Sequence, residues 1–157
     1  MIKQSDTQLT QLLQEEIELL TRSMTTLELS VEKCQRIGFK EDYSFEESES
    51  IDSLSSKFGR SSDIMVQKVM RTVWMLLHES FLPFIDFMNR AEKLGLIDSS
   101  DQMIEIRDLR NQIAHEYLPN AIIDLLPEVL SKSNILKENY NALVSYLKSR
   151  ELLSGRS

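Results

Sequence analysis

Apolar residues recur at helical spacing along nearly the whole chain. In the first third they step alternately by four and three positions, at Leu13, Ile17, Leu20, Met24, Leu27, Val31 and Cys34. This heptad-like pattern is typical of a helix that packs lengthwise against others, and it places the single cysteine in the core. We expect Asp6 or Thr7 to cap the start of this helix and Gly38 to end it, since glycine tolerates left-handed geometry.

A second apolar pattern predicts a second long helix, and it is formed by Ile51, Leu54, Phe58, Met65, Val69, Val73 and Leu76. The segment 39–49 before it is acidic and predicts a loop or a frayed turn. Gly59, Ser61 and Ser62 interrupt the pattern, and such small residues allow a close backbone approach or a kink. Pro83 lacks a backbone N–H and clashes with a preceding helical turn, so the helix is expected to end or bend just before it.

The rest of the chain predicts shorter helices, at 84–93, at 100–117, after Asn120 and at 134–150. Gly95 stops the first of these. Ser99 and Gln102 form a capping-box pattern at the start of the second. Asn120 is expected to cap the third helix, which Pro127 bends.

No stretch alternates apolar and polar residues for long enough to predict a strand. The sequence therefore predicts an all-α fold, an up-and-down bundle of four to five helices. A length of 157 residues fits one domain. We expect that domain to span 1–153 and to be followed by a disordered tail at 154–157.

Composition narrows the function classes. No apolar run approaches the ~20 residues needed to span a bilayer, and the N-terminus lacks the apolar stretch of a signal peptide. We therefore expect a cytoplasmic protein with no membrane partner. One cysteine and two histidines, without a CxxC motif, predict no disulfide, no metal site and no cofactor.

The net charge of −7 argues mildly against a nucleic-acid substrate, because most nucleic-acid binders are basic. It is more compatible with a small local basic site or with a basic protein partner. The basic residues that could serve RNA near the polar end of the 100–117 helix are Lys57, Arg60, Arg107 and Arg110.

That polar helix end carries the candidate chemistry. Arg110 is followed directly by Asn111, after four intervening positions by His115, and then by Tyr117. This pattern resembles the active motif of HEPN-domain proteins. It is most similar to the HEPN toxins, or HepT-like ribonucleases, that are paired with minimal nucleotidyltransferase (MNT) antitoxins. The resemblance covers nearly the whole chain, and the segment 53–69 is similar to the second helix of that family.

The spacing from arginine to histidine is weak evidence alone. Nine arginines and two histidines in 157 residues give about one chance match in three such chains, over the three spacings that the family uses. Arg71 and His78 are such a second match. They flank an apolar run that predicts core, so we interpret His78 as structural. Asn111 and Tyr117, at a polar helix end, distinguish the later motif.

The resemblance implies a helical bundle and a homodimer whose two motifs form one cleft. It implies a metal-independent endoribonuclease toxin that cleaves RNA, either mRNA or tRNA, and not DNA. It also implies that an MNT partner neutralises the toxin by transferring AMP from ATP to Tyr117. A bulky anionic group there would block the cleft and repel the RNA phosphates.

Cleavage of RNA without metal requires a proton to leave the ribose 2′-hydroxyl and another to reach the 5′-oxygen. Histidine suits both tasks and arginine suits the charged phosphorane, so we assign His115 as general acid/base and Arg110 as the phosphate ligand. Asn111 would position phosphate or ribose. Asp108, seven positions before His115, could fix the imidazole tautomer. Arg110 and His115 lie about 140° apart around one helix, which a second copy would resolve.

Two other interpretations stay open. In the first, the chain is a non-catalytic subunit that binds a nucleotide or substrate for a nucleotidyltransferase, and Arg110 and His115 only bind phosphate. In the second, it is a purely structural dimerisation bundle. A nucleotidyltransferase gene beside this one, or growth arrest that is lost in a His115→Ala variant, would favour the ribonuclease.

Overall fold

The computed structural model describes residues 4–116 and 118–153. It contains α1 (Gln4–Ile37), α2 (Phe45–Asp63), a π-helix (Ile64–Met70), α3 (Arg71–Leu76), α4 (Phe84–Leu94), α5 (Ser100–Ala114), α6 (Pro119–Asp124) and α7 (Leu126–Ser149). α2, the π-helix and α3 follow one another without a break and form one continuous helical rod. The described part is thus a bundle of six helical rods without a strand, which confirms the all-α prediction and exceeds the predicted helix number. The predicted tail at 154–157 lies outside the described residues.

The first apolar pattern forms the face that α1 buries. All seven of its residues are at most 6% exposed, and Cys34 is fully buried. Burial raises the pKa of the Cys34 thiol, which keeps it protonated and unreactive. Gly38 ends the helix at a φ of +73°, as predicted. The expected cap is wrong, because Asp6 and Thr7 already lie inside α1.

The second rod begins earlier than predicted. Ser44 accepts a hydrogen bond from the backbone N–H of Glu47, and the Glu47 carboxylate accepts one from the backbone N–H of Ser44. This reciprocal cap starts α2 at Phe45, inside the segment 39–49 that was predicted as a loop. The predicted irregularity lies further along as well, since the wider π-helical turns follow Asp63 rather than Gly59.

The rod of α2, the π-helix and α3 lies at the centre of the bundle. α1 packs along its length, while α5, α6 and α7 contact α2. α4 packs against α5. This arrangement brings α5, with the predicted motif, against the junction of α2 and the π-helix. No helix in the described ranges is long and apolar enough to cross a membrane.

The start of α5 lies where it was predicted, but only half of the predicted capping box forms, and the end of the helix differs. Ser99 Oγ accepts the backbone N–H of Gln102, whereas the Gln102 side chain accepts from Asn139 and not from the backbone N–H of Ser99. The helix ends at Ala114 rather than at 117, and His115 is its C-cap residue, with φ −96° and ψ 0°. The angle of about 140° between Arg110 and His115, which assumes a continuous helix, therefore does not apply, because His115 lies beyond the end of α5.

The last two helices also start differently from the prediction. Leu118 occupies the N-cap position of α6, so Asn120 lies inside that helix and does not cap it. α7 begins at Leu126, eight residues before 134, with Pro127 in its first turn. The missing N–H of proline has no cost there, because a first-turn N–H has no partner within the helix. Pro127 thus begins a helix and does not bend one.

Candidate functional site

Arg110 is held by two hydrogen bonds to Asp63. Its Nε donates to Oδ1 at 2.9 Å and its Nη2 donates to Oδ2 at 2.8 Å. Asp63 is the last residue of α2 before the π-helix, so this pair joins the two elements that form the site. The hydrogen bonds that Arg110 donates to Asp63 raise the pKa of Arg110 above its usual value, and the guanidinium stays charged.

Gly59 in α2 lies against the side chain of Arg110 in α5, and this contact does not depend on the small size of glycine. A Cβ atom built on Gly59 would lie 3.7 Å from Cγ of Arg110, an ordinary contact distance. The aliphatic part of Arg110 therefore passes directly over Gly59. On the opposite side of α2, Ser61 is fully buried and its hydroxyl lies 2.6 Å from that of Ser23 in α1.

Asn111 also contacts the guanidinium. Its Oδ1 accepts a hydrogen bond from Nη1 of Arg110 at 3.3 Å, so the structure brings these two predicted site residues together. A guanidinium has five N–H groups, and the bonds to Asp63 and Asn111 use three of them. Two remain for a ligand. Arg110 is about one-third exposed, so solvent and small anions can reach it.

A groove of about 790 Å³ opens beside Arg110, between α2, the π-helix, the end of α5 and α6. Its charged lining residues are three bases, Arg60, Lys68 and Arg110, and three acids, Asp52, Asp63 and Glu116. The local charge is therefore balanced. Among the described residues of one chain, this groove is therefore not locally positive.

His115 is exposed at the end of α5. Its neighbours Ala114 and Glu116 line the groove, and no contact joins the His115 ring to Arg110 among the described residues. Asp108 is exposed as well and makes no hydrogen bond to His115. Seven helical residues correspond to a rise of about 10.5 Å, which is too far for the predicted tautomer-fixing bond. Tyr117 lies outside the described residues.

The other basic residues that the sequence offered as RNA ligands lie in different places. Arg60 lines the groove. Lys57 faces α1, where its Nζ donates to the hydroxyl of Ser30 at 2.8 Å, so it is not part of this site. Arg107 lies on the other side of Arg110, with its guanidinium carbon 4.1 Å from the centre of the Phe84 ring.

The earlier arginine–histidine match has structural partners, as interpreted. Arg71 lies 4.1 Å from the centre of the Phe87 ring and donates to the backbone oxygen of Leu82. Nε2 of His78 lies 3.2 Å from Oδ2 of Asp6, which joins the end of α3 to the start of α1. Both side chains thus have partners within the bundle, and neither lines the groove.

Asp63 is the functional candidate that the sequence did not reveal. It lies 47 positions before Arg110, so neither helical spacing nor a local motif connects the two. Nor does any group of three or more histidine, cysteine, aspartate or glutamate side chains in the described ranges form a metal site.

Comparison with protein-family models gives no match, and no curated protein matches the chain.

Proposed function

We propose that this chain is a HEPN-like, metal-independent endoribonuclease that acts as the toxin of a toxin–antitoxin pair. One observation carries the proposal: at the end of α5, a charged arginine held by Asp63 and Asn111 lies at an open groove, and an exposed histidine follows one turn later. The arrangement supplies a fixed phosphate ligand and an accessible proton carrier, the two functions that cleavage of RNA requires.

In the proposed reaction, His115 removes the proton from a ribose 2′-hydroxyl. The 2′-oxygen attacks the adjacent phosphorus, and the bond from phosphorus to the 5′-oxygen breaks. A second histidine, His115 of another copy, protonates the departing 5′-oxygen. The two remaining N–H groups of Arg110 stabilise the charge on the phosphorane. The products are a 2′,3′-cyclic phosphate and a free 5′-hydroxyl.

A homodimer is part of this proposal. Within one chain, Arg110 lines the groove and His115 does not, and the charged residues that line the groove are balanced. Two copies that place their α5 ends side by side would combine two arginines and two histidines in one cleft. In such a dimer, an arginine of one copy could lie close to a histidine of the other, and the shared cleft would carry more positive charge than the groove of one chain.

The experiment is incubation of the purified protein with unstructured RNA and, separately, with DNA of the same sequence, in the presence of a chelator. We expect RNA fragments that end in 2′,3′-cyclic phosphate and intact DNA. Intact RNA, or activity that appears only with added metal, would contradict the proposal.

The regulatory part of the proposal concerns Tyr117 and depends on the family resemblance alone. An MNT nucleotidyltransferase would transfer AMP to its hydroxyl and block the cleft. Mass spectrometry of the chain after co-expression with such an enzyme is expected to find adenylylated Tyr117. An unmodified tyrosine in an inactive complex would instead indicate steric inhibition.

A non-catalytic role as a nucleotide-binding subunit is the second candidate. The balanced charge of the groove favours it, since a mononucleotide needs fewer positive charges than RNA does. Binding of mononucleotides by a protein that leaves RNA intact would support this alternative.

Asp63 gives the proposal a further prediction. In an Asp63→Asn variant, Arg110 loses a charged bidentate partner, and we expect RNA cleavage to slow by about tenfold because the phosphate ligand is less well positioned. Both side chains are about one-third exposed, so the free energy of unfolding should change by no more than about 1 kcal/mol.

The matched control for that variant is Glu79→Gln, which weakens the exposed ion pair with Arg90. We expect it to cleave at the wild-type rate. Cleavage that is faster in Asp63→Asn would show that Asp63 restrains Arg110 and does not position it for reaction.

A further inference from the structure

A second depression lies on the other side of Arg110 from the groove. It measures about 110 Å³ and is lined in part by Arg107, Arg110, Asn111, Phe84 and Gln67. Asp63 and Gln67 line the groove as well, so the two depressions meet at these two residues and at Arg110. The surface thus continues without interruption from the proposed phosphate ligand toward α4.

Two arginines on this side lie over aromatic rings. The guanidinium of Arg107 is 4.1 Å from the centre of the Phe84 ring, and that of Arg71 is 5.2 Å from the centre of the Phe81 ring. Neither arginine forms a salt bridge within the described ranges, whereas Arg110 pairs with Asp63. A stacked guanidinium keeps its charge, and its N–H groups stay in the plane around its edge, where they can bind phosphate.

Apolar side chains are exposed in the chain segments next to Arg71 and Phe84. Phe81 is 78% exposed, Ile85 56% and Met75 49%. Most of the Phe81 ring is therefore available for contact, directly beside a positive charge that no carboxylate in the described structure neutralises. Proteins that bind single-stranded nucleic acid combine these two features, with aromatic rings for the bases and cations for the backbone.

We propose that this arginine–phenylalanine strip, consisting of Arg71, Phe81, Phe84 and Arg107, binds single-stranded RNA next to the cleavage site. A base stacks on Phe81, and Arg71 and Arg107 bind the flanking phosphates. The inference rests on the proposed function, because it takes Arg110 as the position of the scissile phosphate. Charge complementarity favours RNA as the occupant: on a chain of net charge −7, Arg107 lines the second depression together with Arg110, and neither Arg107 nor Arg71 forms a salt bridge in the described ranges.

The test uses a fluorescent 2′-O-methyl oligouridine of about 12 nucleotides, within the range of known single-strand sites. The probe lacks the attacking hydroxyl, so its binding is measured independently of cleavage. We expect Phe81→Ala to weaken binding about tenfold without changing its salt dependence. Arg107→Gln should reduce the slope of log affinity against log salt concentration by about 0.7, the contribution of one phosphate contact.

The chain offers a control for each variant. Phe39 is another exposed phenylalanine, 67% exposed, and Arg150 is another arginine over an aromatic ring, that of Tyr146. Both lie outside the strip. Phe39→Ala and Arg150→Gln are therefore expected to bind the probe as the wild type does.

Three outcomes would contradict the proposed binding of RNA by the strip. The first is that the wild type does not bind the probe, and the second is that Phe81→Ala and Phe39→Ala have equal effects. The third is that Phe81→Ala changes the self-association of the protein while its affinity for the probe stays the same. The last would identify the surface as a protein interface. The proposed function is tested separately, with unmodified oligouridine. If that RNA stays intact while Phe81→Ala still weakens probe binding, the strip is supported and the ribonuclease is not.

Discussion

Replacement of His115 by asparagine is expected to slow RNA cleavage by at least about 100-fold, because general acid–base catalysis by a histidine contributes roughly that factor or more. Asparagine preserves polarity and approximate size but cannot carry a proton between the 2′-hydroxyl and the 5′-oxygen. His115 is exposed at a helix end, so the substitution should leave the free energy of unfolding nearly unchanged. The measurement is the initial rate of cleavage of a labelled oligoribonucleotide under a chelator.

His78 provides the matched control. It is the other histidine of the chain, it is also exposed, and it belongs to the arginine–histidine pair with structural partners. Its φ of +56° is tolerated by asparagine better than by most residues, so His78→Asn introduces little strain. We expect this variant to cleave at the wild-type rate. Equal rates in wild type, His115→Asn and His78→Asn would remove His115 from the mechanism.

The probe-binding experiment separates catalysis from recognition in the same variants. His115→Asn keeps Arg110 and the arginine–phenylalanine strip, so it should bind the uncleavable oligouridine with wild-type affinity. Phe81→Ala keeps His115 and Arg110, so at saturating RNA it should cleave normally. Opposite effects on rate and affinity in these two variants would place the chemistry at the end of α5 and the binding of RNA beside α4.

The helical bundle could be predicted because the buried face of each helix follows a short-range periodicity of apolar residues in the sequence. The apolar residues of α1 lie at four- and three-residue steps and those of the second rod at three-, four- and seven-residue steps, and nearly all of them are buried. Gly38 and Gly95 adopt positive φ at the two helix ends where glycine was expected to end the helix. These signals are local, so one sequence is enough to identify them.

The site was only partly predictable, because its key contacts are long-range. The motif directed attention to Arg110 and Asn111, which do contact each other. It gave no sign of Asp63, since a pair separated by 47 positions depends on how two helices cross. The position of the helix end also escaped prediction: 110–117 has no proline or glycine that would stop a helix at Ala114.

The two ends of α5 are held very differently. At its start, three side chains satisfy backbone N–H groups: Ser99 caps Gln102, Glu92 accepts from Ser100, and Asn139 accepts from both Asp98 and Ser99. At its other end, the Asp63 pair holds Arg110 and His115 projects into solvent. A helix anchored at its start can present Arg110 at a fixed position, which electrostatic stabilisation of a phosphorane requires.

Asn139 makes this anchoring testable. It is fully buried in α7, and its Oδ1 accepts the backbone N–H groups of Asp98 at 2.9 Å and Ser99 at 3.2 Å. Its Nδ2 donates to Gln102 at 3.1 Å and to the backbone oxygen of Ile135 at 3.0 Å. The amide group is thus fully paired. A buried N–H that loses its partner costs about 1–3 kcal/mol, and Asn139→Ala removes the partner of two at once.

We therefore expect Asn139→Ala to lower the free energy of unfolding by about 3 kcal/mol and the melting temperature by about 10 °C. Denaturant unfolding followed by circular dichroism measures both. Asn134→Ala is the control: it makes the same change on the exposed face of the same helix, and we expect a difference within about 0.5 kcal/mol. If both variants were equally stable, the start of α5 would be held by its apolar contacts alone. The fixed position of Arg110 would then depend on Asp63 rather than on the buried amide of Asn139.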